Sequence, residues 1–151
     1  MNRTAAFLGV GSERRWVTVE YSDMAGPFGG CRFIVQGDGR ARLCIIDVQG
    51  TERRERRYAG TVDAGKLFAA LVAADFVELH STESPGLPDQ ARMSITITNA
   101  AGRSHTVAVW EEGRLPSDLV PDSPRARFDA VRLVLQKQRS QLKQADPPVF
   151  D

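Results

Sequence analysis

The chain has little with which to do chemistry. Two histidines and two cysteines occur among its 151 residues, and neither C-x-x-C nor H-E-x-x-H is present. A zinc centre needs three or four convergent N or S ligands, so His80, His105, Cys31 and Cys44, spread over separate segments, predict no metal and no other cofactor. The nucleophile frame G-x-S-x-G is missing, and S-x-x-K does not occur with its companion motifs. Ser81, Glu83 and Ser84 lie near His80, but in a Pro/Gly-rich loop that gives a triad no rigid support. Asp89, Glu111 and Glu112 read as solvated loop carboxylates. No enzyme is therefore expected. Long apolar runs are also absent: nothing approaches the roughly 18 residues of a membrane span, and Ala5 to Val10 is too short for a secretory core segment. This reads as a cytoplasmic chain without membrane contact. With 20 Lys+Arg against 19 Asp+Glu, the net charge of +1 provides no global attraction to nucleic acid.

What is there is periodic. Trp16 to Ser22 alternates Val17, Val19 and Tyr21 with polar residues, as a half-buried strand does. "CRFIVQ" and "ARLCIIDV" flank Gly37-Asp38-Gly39 and predict a hairpin. With the turn centred on Asp38 and Gly39, Phe33 would face Cys44 and Cys31 would face Ile46. The two sulfurs would then be diagonal neighbours, with reduced thiols favoured over a disulfide. "RRERRYAGTV" is extended or looped. "DAGKLFAALVAADF" sets Leu67, Phe68, Leu71 and Val72 on one helical stripe behind an Asp63 cap. "ARMSITIT" and "RSHTVAVW" form a second hairpin, and Ala100-Ala101-Gly102 as its loop would pair Ile97 with His105, Ile95 with Val107 and Met93 with Val109. That parity makes His105 a hydrogen-bonded neutral ring at the end of the buried face. Ser123-Pro124 starts a last helix whose stripe is Phe128, Val131, Val134, Leu135 and Leu142. Trp16 and Trp110 fall at strand ends, as core or interface.

These segments predict one α+β domain over residues 16–144. An antiparallel sheet of four to five strands packs on a central helix and a C-terminal amphipathic helix, between a flexible segment 1–15 and a frayed tail 145–151. The stretch "DMAGPFGGCRF" clusters glycines and a proline around Phe28. A phosphate cradle would need a helix after the glycines, whereas this one runs from strand to strand, so Phe28 is either tucked against the sheet or displayed as an anchor.

Charge is uneven even though it nearly cancels. Between Arg125 and Lys143 there are six basic residues and one acid, giving this segment +5 and the remainder −4. Together with "ERRERR" this suggests a nucleic-acid surface made of Arg53, Arg54, Arg56, Arg57, Arg132 and Arg139, although aromatics for base stacking are not interleaved.

Over roughly Trp16 to Leu119, the glycine pair Gly29-Gly30, the helix end with Phe76 and Leu79, Asp89 before a strand, and His105-Thr106-Val107 resemble the emfourin type of small bacterial proteins, inhibitors of thermolysin-like metallopeptidases. The segment "DVQGTERRERRYAG" and the long basic helix depart from that pattern. The resemblance implies a non-catalytic protein-binding module, a peptidase inhibitor whose partner is a metallopeptidase. Its contacts would lie on the loops Asp23 to Gly30 and His80 to Gln90, through Phe28, Leu87 and Asp89. Nucleic acid is the alternative partner. The oligomeric state is not legible.

Overall fold

The computed structural model describes residues 2–24, 29–82, 91–110 and 116–144. Seven strands form one sheet: β1 (Thr18–Met24), β2 (Gly29–Gln36), β3 (Arg40–Gln49), β4 (Glu52–Thr61), β5 (Arg92–Thr98), β6 (Ser104–Trp110) and the two-residue β7 (Lys143–Gln144). Their order across the sheet is β6-β5-β1-β2-β3-β4-β7, and every neighbouring pair is antiparallel. The helices are α1 (Arg3–Leu8), α2 (Ala64–Ala73) and α3 (Pro124–Arg139). The α+β class and the antiparallel sheet are as the sequence predicts. The sheet is wider than four or five strands because Glu52–Thr61 pairs along the whole of β3 despite its charge.

Alternation decides what is inside. Val19, Tyr21, Cys31, Phe33, Val35, Ala41, Leu43, Met93, Ile95, Ile97, Val107 and Val109 project to one face. There they form a single core with Leu67, Phe68 and Leu71 of α2 and Phe128, Val131 and Leu135 of α3. Asp63 caps α2 by accepting the Lys66 N–H at 3.2 Å, and Ser123 caps α3 by accepting that of Ala126 at 3.1 Å. The β5–β6 register is the predicted one, with Ile97 opposite His105 and Met93 opposite Val109.

The β2–β3 register differs by one residue. Phe33 lies opposite Leu43, and Cys44 lies opposite Arg32. Gly37-Asp38-Gly39 is a three-residue loop closed by Gly39 N–H to Gln36 O at 2.9 Å, with Gly39 at φ +95°. A three-residue loop with glycine in the left-handed position shifts the pairing relative to a two-residue turn. A one-residue shift moves a side chain to the other face, so Cys31 is in the core while Cys44 is on the opposite surface. Both thiols are free, and no disulfide can join them through the sheet.

Residues 3–8, expected within a flexible segment, are helical and anchored. Leu8 is 1% exposed. Asp75, at φ +45°, accepts the Thr4 hydroxyl at 2.9 Å, and the Thr4 oxygen accepts the Val77 N–H at 3.0 Å. Thr4 is fully buried, so removing its hydroxyl strands the Val77 N–H. Thr4→Val should cost about 1–3 kcal/mol in urea unfolding. A change below about 0.5 kcal/mol, the size of an ordinary surface substitution, would show that the Thr4 hydroxyl bridge does not hold α1 in place.

Candidate functional site on the open sheet face

Both long helices occupy the core face, and the alternate residues of the strands, except the buried Ala108 of β6, are left half-buried or exposed. On β5 and β6 this open face is a hydroxyl ladder, in which Thr96 and Thr106, and Thr98 and Ser104, share hydrogen bonds of 2.8 Å. On β2, β3 and β4 it consists of arginine and aliphatic side chains set out in cross-strand rows: Arg40 with Thr61; Ile34, Arg42 and Ala59; Arg32, Cys44 and Arg57; Gly30, Ile46 and Glu55; Val48 with Arg53. Successive rows are about 7 Å apart, two residues of strand rise.

Three depressions of about 200, 370 and 290 Å³ follow these rows. Ile34 and Arg42 line both the first and the second, while Gln36 and Arg40 line both the second and the third. The result is one trough from Arg53 to Trp16. Trp16 is 67% exposed, with the Arg15 guanidinium 5.2 Å above its ring.

Carboxylates within the trough steady its arginines. Arg32 pairs with Glu20, Arg40 donates to Asp38 at 2.8 Å, and Arg53 and Arg57 donate to the two oxygens of Glu55 at 2.9 and 3.0 Å. The Arg40 backbone N–H holds the Asp38 carboxyl below its ordinary range, with the guanidinium adding to the effect. Exposed pairs of this kind contribute little stability. They do orient the guanidinium forks, each of which has five N–H donors, more than one carboxylate uses.

A second group of polar side chains lies on the core face. Arg139 Nη1 donates to Cys31 Sγ at 2.9 Å, the Tyr21 hydroxyl donates to Asp23 at 3.3 Å, and Arg132 reaches Met93 Sδ at 3.3 Å. A depression of about 300 Å³ beside them is lined by Asp23, Cys31, Asp47 and Arg139. Burial pushes both the Tyr21 phenol and the Cys31 thiol up. A thiol held protonated at neutral pH is a poor nucleophile.

The residues singled out in the sequence fall in different places. Phe28, Leu87 and Asp89 lie outside the described residues, as do Glu83, Ser84, Glu111 and Glu112. Gly29 and Gly30 open β2, and a Cβ on either would sit 2.1 Å from a carbonyl oxygen, of Ile46 or Asp23. The six arginines of the nucleic-acid reading do not share a surface. Arg53 and Arg57 are on the open face. Arg54 and Arg56 are on the opposite side of β4, with Arg56 3.1 Å from Asp47. Arg132 and Arg139 turn into the protein. Arg125, 5% exposed, donates to Trp110 O at 2.9 Å, and Arg127 donates to Ala74 O at 2.8 Å. The basic side of α3 is therefore largely a set of struts. His105 Nε2 hydrogen-bonds Leu79 O at 2.9 Å with its ring edge-on to Phe76, as expected of a structural histidine. Arg32, Arg40 and Arg42 are not among the residues singled out in the sequence: Arg32 alternates outward from Phe33, whereas the two-residue turn expected from the sequence would set Arg40 and Arg42 on the core face.

Among the described residues, no three His, Cys, Asp or Glu side chains are grouped to hold a metal ion, and no helix is long and apolar enough to cross a membrane. No protein-family model matches the chain, and no curated protein matches it in sequence.

Thiol chemistry checks the two faces. Ellman's reagent at pH 8 should modify Cys44 promptly and Cys31 only on unfolding, and two prompt equivalents would contradict the burial of Cys31. Because its folded pKa is raised, the stability contributed by the Cys31 thiol is fully present below the unfolded value of about 8.5 and is lost as pH rises further. Chemical denaturation from pH 8 to 11 should show this decline.

Proposed function

We propose that the protein is a non-catalytic binding module that receives a protein partner on the open face of its sheet. The observation that carries this reading is the continuous arginine-lined trough over β2, β3 and β4. A sheet face that no other described element covers, apolar at its floor and charged at its rim, has the make-up of a recognition surface. Its contacts come from regular strands held by a common core, so the partner meets a rigid array.

The resemblance to emfourin-type peptidase inhibitors supports this class less directly. Most of its described positions are packing positions: Phe76, Leu79 and Val107 are buried, Gly29 abuts the Ile46 carbonyl, and His105 is tied to Leu79, while Thr106 is exposed on the open face. They account for a similar fold more readily than for a similar contact surface. Inhibition of a metallopeptidase would rest on the loops of Phe28, Leu87 and Asp89. Nucleic acid is disfavoured by the dispersal of Arg53, Arg54, Arg56, Arg57, Arg132 and Arg139 over three parts of the molecule.

Affinity capture from nuclease-treated native lysate tests this reading, comparing the wild-type chain with Arg42→Glu/Ile46→Asp. Both substituted side chains are on the surface, and matching circular dichroism will confirm that the fold is retained. A stoichiometric partner should be captured by wild type and lost by the variant. Equal capture by both would move the binding surface elsewhere, most directly to the loops.

A further inference from the structure

We infer that the occupant of the trough is an extended acidic protein segment, lying along β3, with carboxylates at alternate positions and one aliphatic side chain among them. This rests on the open face being the binding surface and adds the chemistry of what binds there. Arg40 lies in the first row, Arg42 in the second, Arg32 and Arg57 flank Cys44 in the third, Ile46 centres the fourth and Arg53 the fifth. An extended peptide presents same-side residues every two positions, about 7 Å apart, which is the spacing of these rows. Laid along β3, it places carboxylates over three successive arginine rows and an aliphatic side chain over Ile46, with Arg53 meeting a further carboxylate.

Charge complementarity sets the sign of the occupant. Among the described residues, six arginines, at positions 15, 32, 40, 42, 53 and 57, and three carboxylates, Glu20, Asp38 and Glu55, border the trough. All six cations are arginine, whose planar fork matches a carboxylate in two parallel hydrogen bonds. Phosphates of a single-stranded nucleic acid would also answer to a cationic groove. Bases, however, need aromatic platforms, and the floor between the arginines is Ile34, Cys44 and Ile46. Among the described residues two aromatics line the trough: Trp16 at its far end, and Tyr58, which belongs to the core-facing parity of β4 opposite Leu43. Aliphatic side chains against an aliphatic floor suit a peptide.

Fluorescence anisotropy tests the inference with two labelled probes: a nonapeptide alternating glutamate with serine and carrying one leucine, and an oligothymidylate of similar length. The peptide should bind the wild-type chain, with affinity falling at least about tenfold in Arg42→Glu, as expected for loss of a charge-assisted pair and reversal of its sign. Arg54→Glu, on the other side of β4, should leave affinity within about twofold. Equal losses in the two variants would reduce the effect to net charge and overturn the site. Binding of the oligonucleotide in preference to the peptide would reassign the trough to nucleic acid. If neither probe binds while the lysate partner is still lost by Arg42→Glu/Ile46→Asp, the open face stands as the binding surface and the acidic-segment inference fails. If the lysate partner also survives that variant, both fail.

Discussion

Side chains of a β-strand alternate between the faces of its sheet, and in this protein α2 and α3 both lie against the same face. Everything else follows from that asymmetry. One face must close a core, and it does so mainly with aliphatic and aromatic residues at alternate strand positions such as Val19, Tyr21, Phe33, Leu43, Ile95 and Val109. The other face is released from packing and can hold arginines, threonines and a thiol at low cost, because long side chains there keep their charged heads in water. Register is the link between the two, since a slip by one residue would exchange them.

The sequence made some of this legible and hid the rest for identifiable reasons. In β5 and β6 the alternation is clean and only one loop length aligns the apolar pairs, so the register could be read directly. In β2 and β3 apolar residues occur on both parities, with Ile34, Cys44 and Ile46 facing outward, so hydrophobicity alone could not choose between two loops. The choice was made by Gly39 in the left-handed position. Strand β4 was obscured because its side chains are mostly charged on both faces, and it is held chiefly by ladder hydrogen bonds to β3. The anchoring of α1 depends on Asp75 and Val77, more than seventy residues away, a contact that no local pattern encodes.

The last helix illustrates how composition can mislead. Arg125, Arg132 and Arg139 recur every seven residues, which places them in one row along an α-helix. That row borders the stripe of Phe128, Val131 and Leu135, so it meets the protein at the edge of the buried surface. Across the fold they reach a backbone carbonyl at Trp110, the Met93 sulfur and the Cys31 sulfur, and Asp129 within the helix pairs with both Arg125 and Arg132. The helix is thereby clamped across the sheet from β6 to β2, and the positive charge that stands out in the sequence is spent inside. The cations on the open face come from ordinary strand positions, where nothing in the composition marks them.

The margin of the sheet at β4 has a bearing on how copies of this chain behave when crowded. Among the described residues, β7 covers only Tyr58 and Ala59 of that strand. The segment from Glu52 to Arg57 borders the uncovered part with two glutamates and four arginines. Two such margins brought side by side would have to line their seam with charged side chains, which discourages the strand-to-strand growth that an uncovered backbone edge invites. The charge along β4 thus acts as a guard of this rim against fibrous self-association.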